Sequence, residues 1–182
     1  MFYRSISFFF GILVLLPFSF SASLYYQSKV QNDDPLLYYK FNEAQGSTVM
    51  NYGSLGSDYH GVYNGGITKS VASIFGDTGV SFNGSADYIE SNTAAPTSLT
   101  GNPTFSIETL VYIPTNAHTQ SYAPLLHWGG AATAKSVYFS FRRNEENRIY
   151  AGFYNGGQMM SGTISLGGWH HIVMVREGGS TS

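Results

Sequence analysis

The amino-acid sequence predicts an all-β protein, an antiparallel β-sandwich of two stacked sheets. Apolar and polar residues alternate with a period of two in runs separated by Gly, Asn, Ser and Pro, and no window keeps apolar residues at helical spacing for three turns. The composition agrees, with 21 Gly, 14 Tyr, 13 Phe and only 11% charged residues, as is typical of turn-rich β proteins. Many short strands without crossover helices favour a sandwich.

Alternation places the strands along the chain. We predict strands over residues 36–42, 61–63, 79–82, 88–91, 105–113, 124–128, 136–142, 148–154 and 169–176. The segment 79–90 alternates, breaks at Asn83-Gly84 and alternates again, which predicts a hairpin with its turn at that dipeptide. In residues 105–113 the inward face is predicted to carry Phe105, Ile107, Thr109, Val111 and Ile113, and the outward face Ser106, Glu108, Leu110 and Tyr112.

A second predicted hairpin, residues 137–154, has a register that the apolar residues specify. Pairing Arg142 with Arg148 collects the apolar side chains on one face, whereas a slip of one residue mixes both faces. The core pairs are then Phe141 with Ile149, Phe139 with Ala151, and Val137 with Phe153. The other face carries Tyr138, Ser140, Arg142, Arg148, Tyr150, Gly152 and Tyr154. Two arginines opposite each other repel mildly, which suggests that an anion or carboxylate compensates them.

This polar face is the candidate binding site. We predict that a ligand contacts Tyr138, Arg142, Arg148, Tyr150 and Tyr154, because aromatic rings stack on the apolar C–H face of a sugar and guanidinium groups donate to its hydroxyls. The alternative is that these tyrosines are ordinary residues of a half-exposed strand and bind nothing.

Other features limit the possible functions. The formal net charge of −2 disfavours nucleic acid as a partner, and the absence of cysteine excludes disulfides and thiolate metal sites. No strand carries two carboxylates at i and i+2 or i+4, the same-face arrangement expected for a retaining glycosidase. His170 and His171 are adjacent on one strand and therefore point to opposite faces. We expect a protein that is not an enzyme.

Residues 1–23 are predicted to be a secretory signal peptide. Arg4 supplies the positive charge, residues 6–20 the apolar run, and Ser21-Ala22-Ser23 a cleavage site after Ser23. The alternative is an uncleaved membrane anchor, although the apolar run is short for a spanning helix. Residues 24–34 are then a polar linker, and the domain is predicted to be secreted or cell-surface associated.

Four segments resemble laminin-G-like and concanavalin-A-like jelly-roll modules in order and spacing: residues 36–46 (LLYYKFNEAQG), 79–90 (GVSFNGSADYIE), 105–114 (FSIETLVYIP) and 167–179 (GGWHHIVMVREGG). The resemblance covers residues 35–178 and implies a non-catalytic recognition module that binds carbohydrate or an extracellular protein. A structural or adhesion spacer within a larger surface protein is the main alternative, and a glycoside-hydrolase-like sandwich is a more distant one. Because similar modules continue through a further hairpin, residues 179–182 are expected to begin a linker or to mark a truncation.

The resemblance also implies two properties of individual residues. The Trp169-His170-His171 element belongs to a central strand in such modules, which assigns the histidines a structural role. Related lectin-like sandwiches often hold calcium in loops, and the candidate ligands here are Asp58, Asp77 and Asp87. The alternative is that these aspartates form Asx turns and bind no ion.

Overall fold

The computed structural model describes residues 18–117, 122–130, 132, 136–144 and 146–178. It is mostly β, as predicted, with antiparallel pairing in every sheet of the described residues. One α-helix, α1, spans Phe18–Asn32. The strands are β1 (Thr48–Val49), β2 (Gly61–Asn64), β3 (Thr68–Ala72), β4 (Thr78–Ser81), β5 (Tyr88–Ser91), β6 (Phe105–Ile113), β7 (Ala123–Gly129), β8 (Ser136–Arg142), β9 (Arg148–Phe153), β10 (Gln158–Met160) and β11 (Gly168–Arg176).

Within the residues that the structure describes, the strands form four sheets. The largest has the order β10-β9-β8-β7, and a long two-stranded sheet joins β11 to β6. A three-stranded sheet has the order β1-β2-β5, and β3 pairs with β4. The predicted strands 88–91, 105–113 and 136–142 coincide with β5, β6 and β8.

A hydrophobic core among the described residues draws on both of the larger sheets. Its buried members are Ile113 and Met174 from β6 and β11, together with Val137, Phe139, Phe141, Ile149 and Ala151 from β8 and β9. The predicted alternation along β6 is confirmed, because Phe105, Ile107 and Val111 pack against this cluster while Ser106, Glu108 and Tyr112 are exposed. Phe139 lies at the centre, with 1% of its surface exposed. Burial of these apolar side chains is the main stabilising contribution.

The prediction of a hairpin over residues 79–90 was wrong. β4 pairs with β3 and β5 pairs with β2, so the two strands belong to different sheets. The intervening loop closes on itself: the Asn83 side-chain oxygen accepts hydrogen bonds from the backbone N–H groups of Ser85 (2.8 Å) and Ala86 (3.2 Å). The Asp87 carboxylate accepts from the N–H groups of Asn83 (2.8 Å) and Gly66 (2.7 Å). The last contact attaches the loop to the end of β2, and β5 therefore continues beside β2.

The strand predicted over residues 36–42 is also absent from the structure. This segment makes an isolated bridge between Tyr39 and Asn51, and Phe41 has a positive φ of 57°. A left-handed residue interrupts an extended strand. Conversely, β1, β3 and β10 were not predicted. β3 and β10 are largely exposed and lack an alternating apolar pattern, and β1 has only two residues, of which Val49 is buried.

Helix α1 differs from the sequence prediction. It runs through the predicted cleavage site at Ser23 and makes most of the predicted linker, residues 24–34, helical. Ser23 is buried and donates a hydrogen bond to Asp77 (2.5 Å), and Tyr26 donates to Glu108 (2.9 Å). The helix is attached by such polar contacts, and its sequence carries no apolar stripe at helical spacing. The pattern that normally predicts a surface helix is therefore missing. No helix in the described part of the chain is long and apolar enough to cross a membrane. Residues 1–17 of the predicted signal peptide lie outside the described residues.

Candidate binding surface

The register predicted for β8 and β9 is confirmed. Arg142 lies opposite Arg148, and the pairs Phe141 with Ile149, Phe139 with Ala151, and Val137 with Phe153 follow. Residues directly opposite each other in an antiparallel pair share a face. Tyr138, Arg142, Arg148 and Tyr150 therefore lie on the face opposite the core.

Neighbouring strands extend this face on both sides. In β10, Gln158 lies opposite Gly152 and Met160 lies opposite Tyr150, while His127 of β7 lies opposite Tyr138. Gly152 is not an open floor for a ligand: a Cβ atom there would lie 2.4 Å from the carbonyl oxygen of Gly157. The close approach of the chain leading into β10 explains why this position is glycine.

The most distinctive feature of the face is an arginine held between two tyrosines. The guanidinium carbon of Arg142 lies 4.0 Å from the ring centroid of Tyr122 and 3.9 Å from that of Tyr150. Arg142 and Tyr150 are only 7% and 6% exposed, so both are part of the packed structure. Tyr122, immediately before β7, is 57% exposed. Each cation–π contact of this kind stabilises by about 0.5–2 kcal/mol, depending on burial.

Tyr122 was not among the predicted site residues. It precedes β7 and belongs to no alternating run that would have placed it on this face. It lies near the others because β7 pairs with β8. The register of that pair could not be predicted from the sequence of the two strands. We refer to Tyr122, Tyr138, Arg142, Arg148 and Tyr150 as the tyrosine surface.

The remaining members of the tyrosine surface are held by polar contacts. The Arg148 guanidinium forms an ion pair with the Glu146 carboxylate, which supplies the compensating negative charge that the sequence suggested. Tyr138 donates a hydrogen bond to the side-chain oxygen of Gln158 (3.0 Å). Burial raises the pKa of Tyr138 above its usual value, and the nearby Arg142 charge only partly offsets this rise in the pKa. The hydroxyl therefore stays protonated and able to donate at neutral pH.

Tyr154, the fifth predicted ligand-binding residue, lies at the opposite end of the hairpin from Arg142 and Arg148. It follows the last residue of β9, and its backbone N–H donates to the Ser136 carbonyl oxygen (3.0 Å). At about 3.3 Å per residue, it is roughly 20 Å along the strand from Arg148. The structure thus groups Arg142, Arg148 and Tyr150 near one end of the hairpin and adds Tyr122 beside them, with Tyr138 farther along β8 and Tyr154 at the other end.

The three aspartates considered as calcium ligands lie in different loops. Asp77 accepts hydrogen bonds from Ser23 and Ser73, and Asp87 accepts the two backbone N–H groups described above. Asp58 lies in the 3₁₀ turn Gly56–Tyr59, where its backbone carbonyl accepts from the Thr93 hydroxyl (2.6 Å). In the described part of the chain, no three acidic, His or Cys side chains are grouped so that they could hold a metal ion. The Asp87 carboxylate thus binds backbone N–H groups across its loop, and the Asp77 carboxylate binds serine hydroxyls, one of them on α1.

The adjacent histidines of β11 point in opposite directions, as predicted. The ring nitrogen Nε2 of His170 lies 2.8 Å from the Ser165 carbonyl oxygen, and that of His171 lies 2.9 Å from the Glu108 carboxylate. The same Glu108 oxygen accepts the Tyr26 hydroxyl of α1. His171 thus contributes to the attachment of α1 to the outer face of β6 and β11.

A separate concavity lies on the other side of β9 and β10. It encloses about 290 Å³, and its lining includes Phe153, Met159, Met174 and Arg176. Met159 lies opposite Ala151, a core residue, so the concavity is continuous with the core face and not with the tyrosine surface. Arg176 already donates to the carbonyl oxygen of Pro103 (2.6 Å).

Comparisons of the chain with protein-family models, curated proteins and solved structures gave no match.

Proposed function

We propose that this chain is a non-catalytic recognition module, of the laminin-G-like kind that its sequence resembles, and that it binds glycan through the tyrosine surface. The observation that carries the proposal is the contiguous set of aromatic and hydrogen-bonding groups around Arg142, with Tyr122 exposed beside it. Aromatic rings with polar edges suit a ligand that has both an apolar face and many hydroxyls.

The absence of catalysis is part of the proposal. The sequence contains no pair of carboxylates at same-face spacing along a predicted strand. Glu146 is a carboxylate at the edge of the tyrosine surface, and its oxygen is paired with Arg148. We expect incubation of the chain with laminarin and related glucans to release no reducing ends; their release would contradict this part of the proposal.

Binding can be tested by NMR on the full chain with its tyrosines labelled in the ring. Titration with soluble glycans should shift the ring signals of Tyr122 and Tyr138 and leave that of Tyr88 unchanged. Tyr88 is a suitable control because it is 54% exposed and lies on β5, in a different sheet. If none of a panel of neutral and acidic glycans moves the Tyr122 or Tyr138 signals, the proposed function fails.

We further propose that the domain is exported, since residues 1–23 have the composition of a signal peptide. N-terminal sequencing of the product from culture medium should begin at Leu24. An intact Met1 would contradict cleavage and favour the anchor.

A structural or adhesion spacer is the second candidate, and one observation favours it. Arg142 and Tyr150 are almost completely buried, so much of the predicted binding face is packed against itself. A spacer predicts that substitution of Arg142 lowers the free energy of unfolding and that no glycan affects any tyrosine signal.

A further inference from the structure

We infer that the tyrosine surface selects a neutral glycan and that Tyr122 is the ring on which the sugar stacks. This inference rests on the proposed function and narrows it to a ligand class and a contact residue. It differs from the sequence interpretation, in which two arginines were expected to contact the ligand directly.

The arginines of the surface do not present open cations. The two aromatic rings lie within about 4 Å of the Arg142 guanidinium carbon, at 4.0 and 3.9 Å, and the side chain is almost completely buried. Arg148 is paired with the Glu146 carboxylate, which is itself exposed. An acidic sugar would have to displace the Glu146 carboxylate from Arg148. Removing water from the sugar's charge and from the guanidinium would also lower its affinity.

Tyr122 differs from the other rings in being both accessible and held in place. One side of its ring faces the Arg142 guanidinium, while more than half of the residue remains exposed. Tyr150, on the other side of the same guanidinium, is too deeply buried to contact a ligand. A preorganised aromatic ring offers a large contact area at a small cost in conformational entropy.

Hydrogen-bonding groups lie on the same face of the sheet as this ring. Tyr122 packs on Arg142, and Tyr138 lies on the same face of β8, four residues before Arg142 and about 13 Å along the strand. Tyr138 in turn contacts Gln158, which adds an amide able to donate and accept. A ring for the C–H face of a sugar and neutral polar groups for its hydroxyls thus share one face of the sheet, and both arginines described on that face are buried or ion-paired.

The inference is tested by isothermal titration calorimetry on the full chain. The neutral probes are cellohexaose, laminarihexaose and mannohexaose, and the acidic probes are hexagalacturonic acid and a heparin hexasaccharide. We expect a neutral probe to bind more tightly than either acidic one. Tyr122→Ala should weaken that binding by about tenfold, the equivalent of ~1.4 kcal/mol. Tyr122→Phe, which keeps the ring, should stay within about threefold of the original affinity.

Two controls separate binding from folding. Tyr88→Ala removes an equally exposed tyrosine from β5 and should leave the affinity unchanged. Tyr122→Trp keeps an aromatic ring over Arg142 and should retain binding even if Tyr122→Ala is unstable. Thermal unfolding of each variant establishes that it is folded at the temperature of the titration.

The outcomes distinguish the inference from the proposed function. If no probe of either class binds, both fail. If an acidic probe binds most tightly, or if a folded Tyr122→Ala variant binds as well as the original chain, the inference is overturned and the proposed function stands. The inference is likewise overturned if Tyr122→Phe and Tyr122→Trp lose binding to the same extent as Tyr122→Ala.

Discussion

The β8–β9 hairpin and the segment from β4 to β5 have similar sequence signals but different outcomes. Both alternate apolar and polar residues on either side of a turn. In the first, the strands pair in the predicted register; in the second, each strand pairs with a different neighbour. Alternation therefore locates strands in both regions but identifies the partner in only one.

The difference lies in how many apolar side chains depend on the pairing. A slip of one residue between β8 and β9 would move the inward residues of one strand, either Phe139 and Phe141 or Ile149 and Ala151, out of the core, at a cost of several kcal/mol. β4 and β5 contain no buried residue, so their mutual pairing would bring little apolar burial. The loop hydrogen bonds that the Asn83 and Asp87 side chains accept then favour the pairing of β5 with β2 over its pairing with β4.

The largest expected contrast comes from removing one phenylalanine ring in each region. Phe139→Ala should lower the free energy of unfolding by about 3–5 kcal/mol, because it leaves a cavity at the centre of the core. Phe82→Ala, directly after β4, should lower it by less than about 1 kcal/mol, since Phe82 is 46% exposed. Urea unfolding of both variants measures the difference. Equal losses would mean that the 78–91 segment has a core of its own.

A pair of glycine substitutions gives the next largest contrast. Gly152→Ala should destabilise by about 1–3 kcal/mol, because the new Cβ would lie 2.4 Å from the Gly157 carbonyl oxygen. At Gly79 in β4 no atom lies within 4 Å of an added Cβ, and Gly79→Ala should be neutral or stabilise by up to about 1 kcal/mol. Thermal unfolding distinguishes the two. A tolerated Gly152→Ala would contradict the close approach of β10.

A double-mutant cycle tests the coupling within the tyrosine surface. The variants Tyr122→Leu and Arg142→Met, alone and combined, should give a coupling free energy of about 1 kcal/mol. The matched cycle is Tyr63 with Lys69, whose Nζ lies 4.1 Å from the Tyr63 ring centroid near the β4–β5 region. A partly exposed Lys is better solvated than a buried Arg. The coupling free energy of Tyr63 with Lys69 should therefore be about half that of Tyr122 with Arg142. A coupling near zero for the first pair would remove the support that Arg142 gives to Tyr122.

The smallest expected effect concerns a buried hydroxyl of β8. Ser140 Oγ is buried and makes no hydrogen bond among the described residues, so Ser140→Ala should leave the free energy of unfolding unchanged or raise it by up to about 1 kcal/mol. Ser161→Ala is the control, because its hydroxyl accepts from the Ile149 N–H (3.0 Å) and donates to the Gly162 carbonyl (2.6 Å). That change should cost about 1 kcal/mol. A clear loss for Ser140→Ala would imply a partner for this hydroxyl.

Sequence analysis predicted part of the candidate site and missed its most accessible member. Tyr138, Arg142, Arg148 and Tyr150 follow from the register of one hairpin, because period-two alternation specifies which side chains share a face. Tyr122 belongs to no such pattern and reaches Arg142 only through the packing of another strand. The burial of Arg142 and Tyr150 was likewise not predictable, because side chains from several strands cover them.

The amino-acid sequence alone determined the β class, the boundaries of the long strands, the inward faces of β6, β8 and β9, and the β8–β9 register, because local alternation and apolar burial act together in these segments. Only the tertiary structure decided the partners of β4 and β5, the helical state of residues after Ser23, and the enclosure of Arg142 between Tyr122 and Tyr150. Those features arise from contacts between distant segments, whose small energy differences leave no periodic signal in the chain.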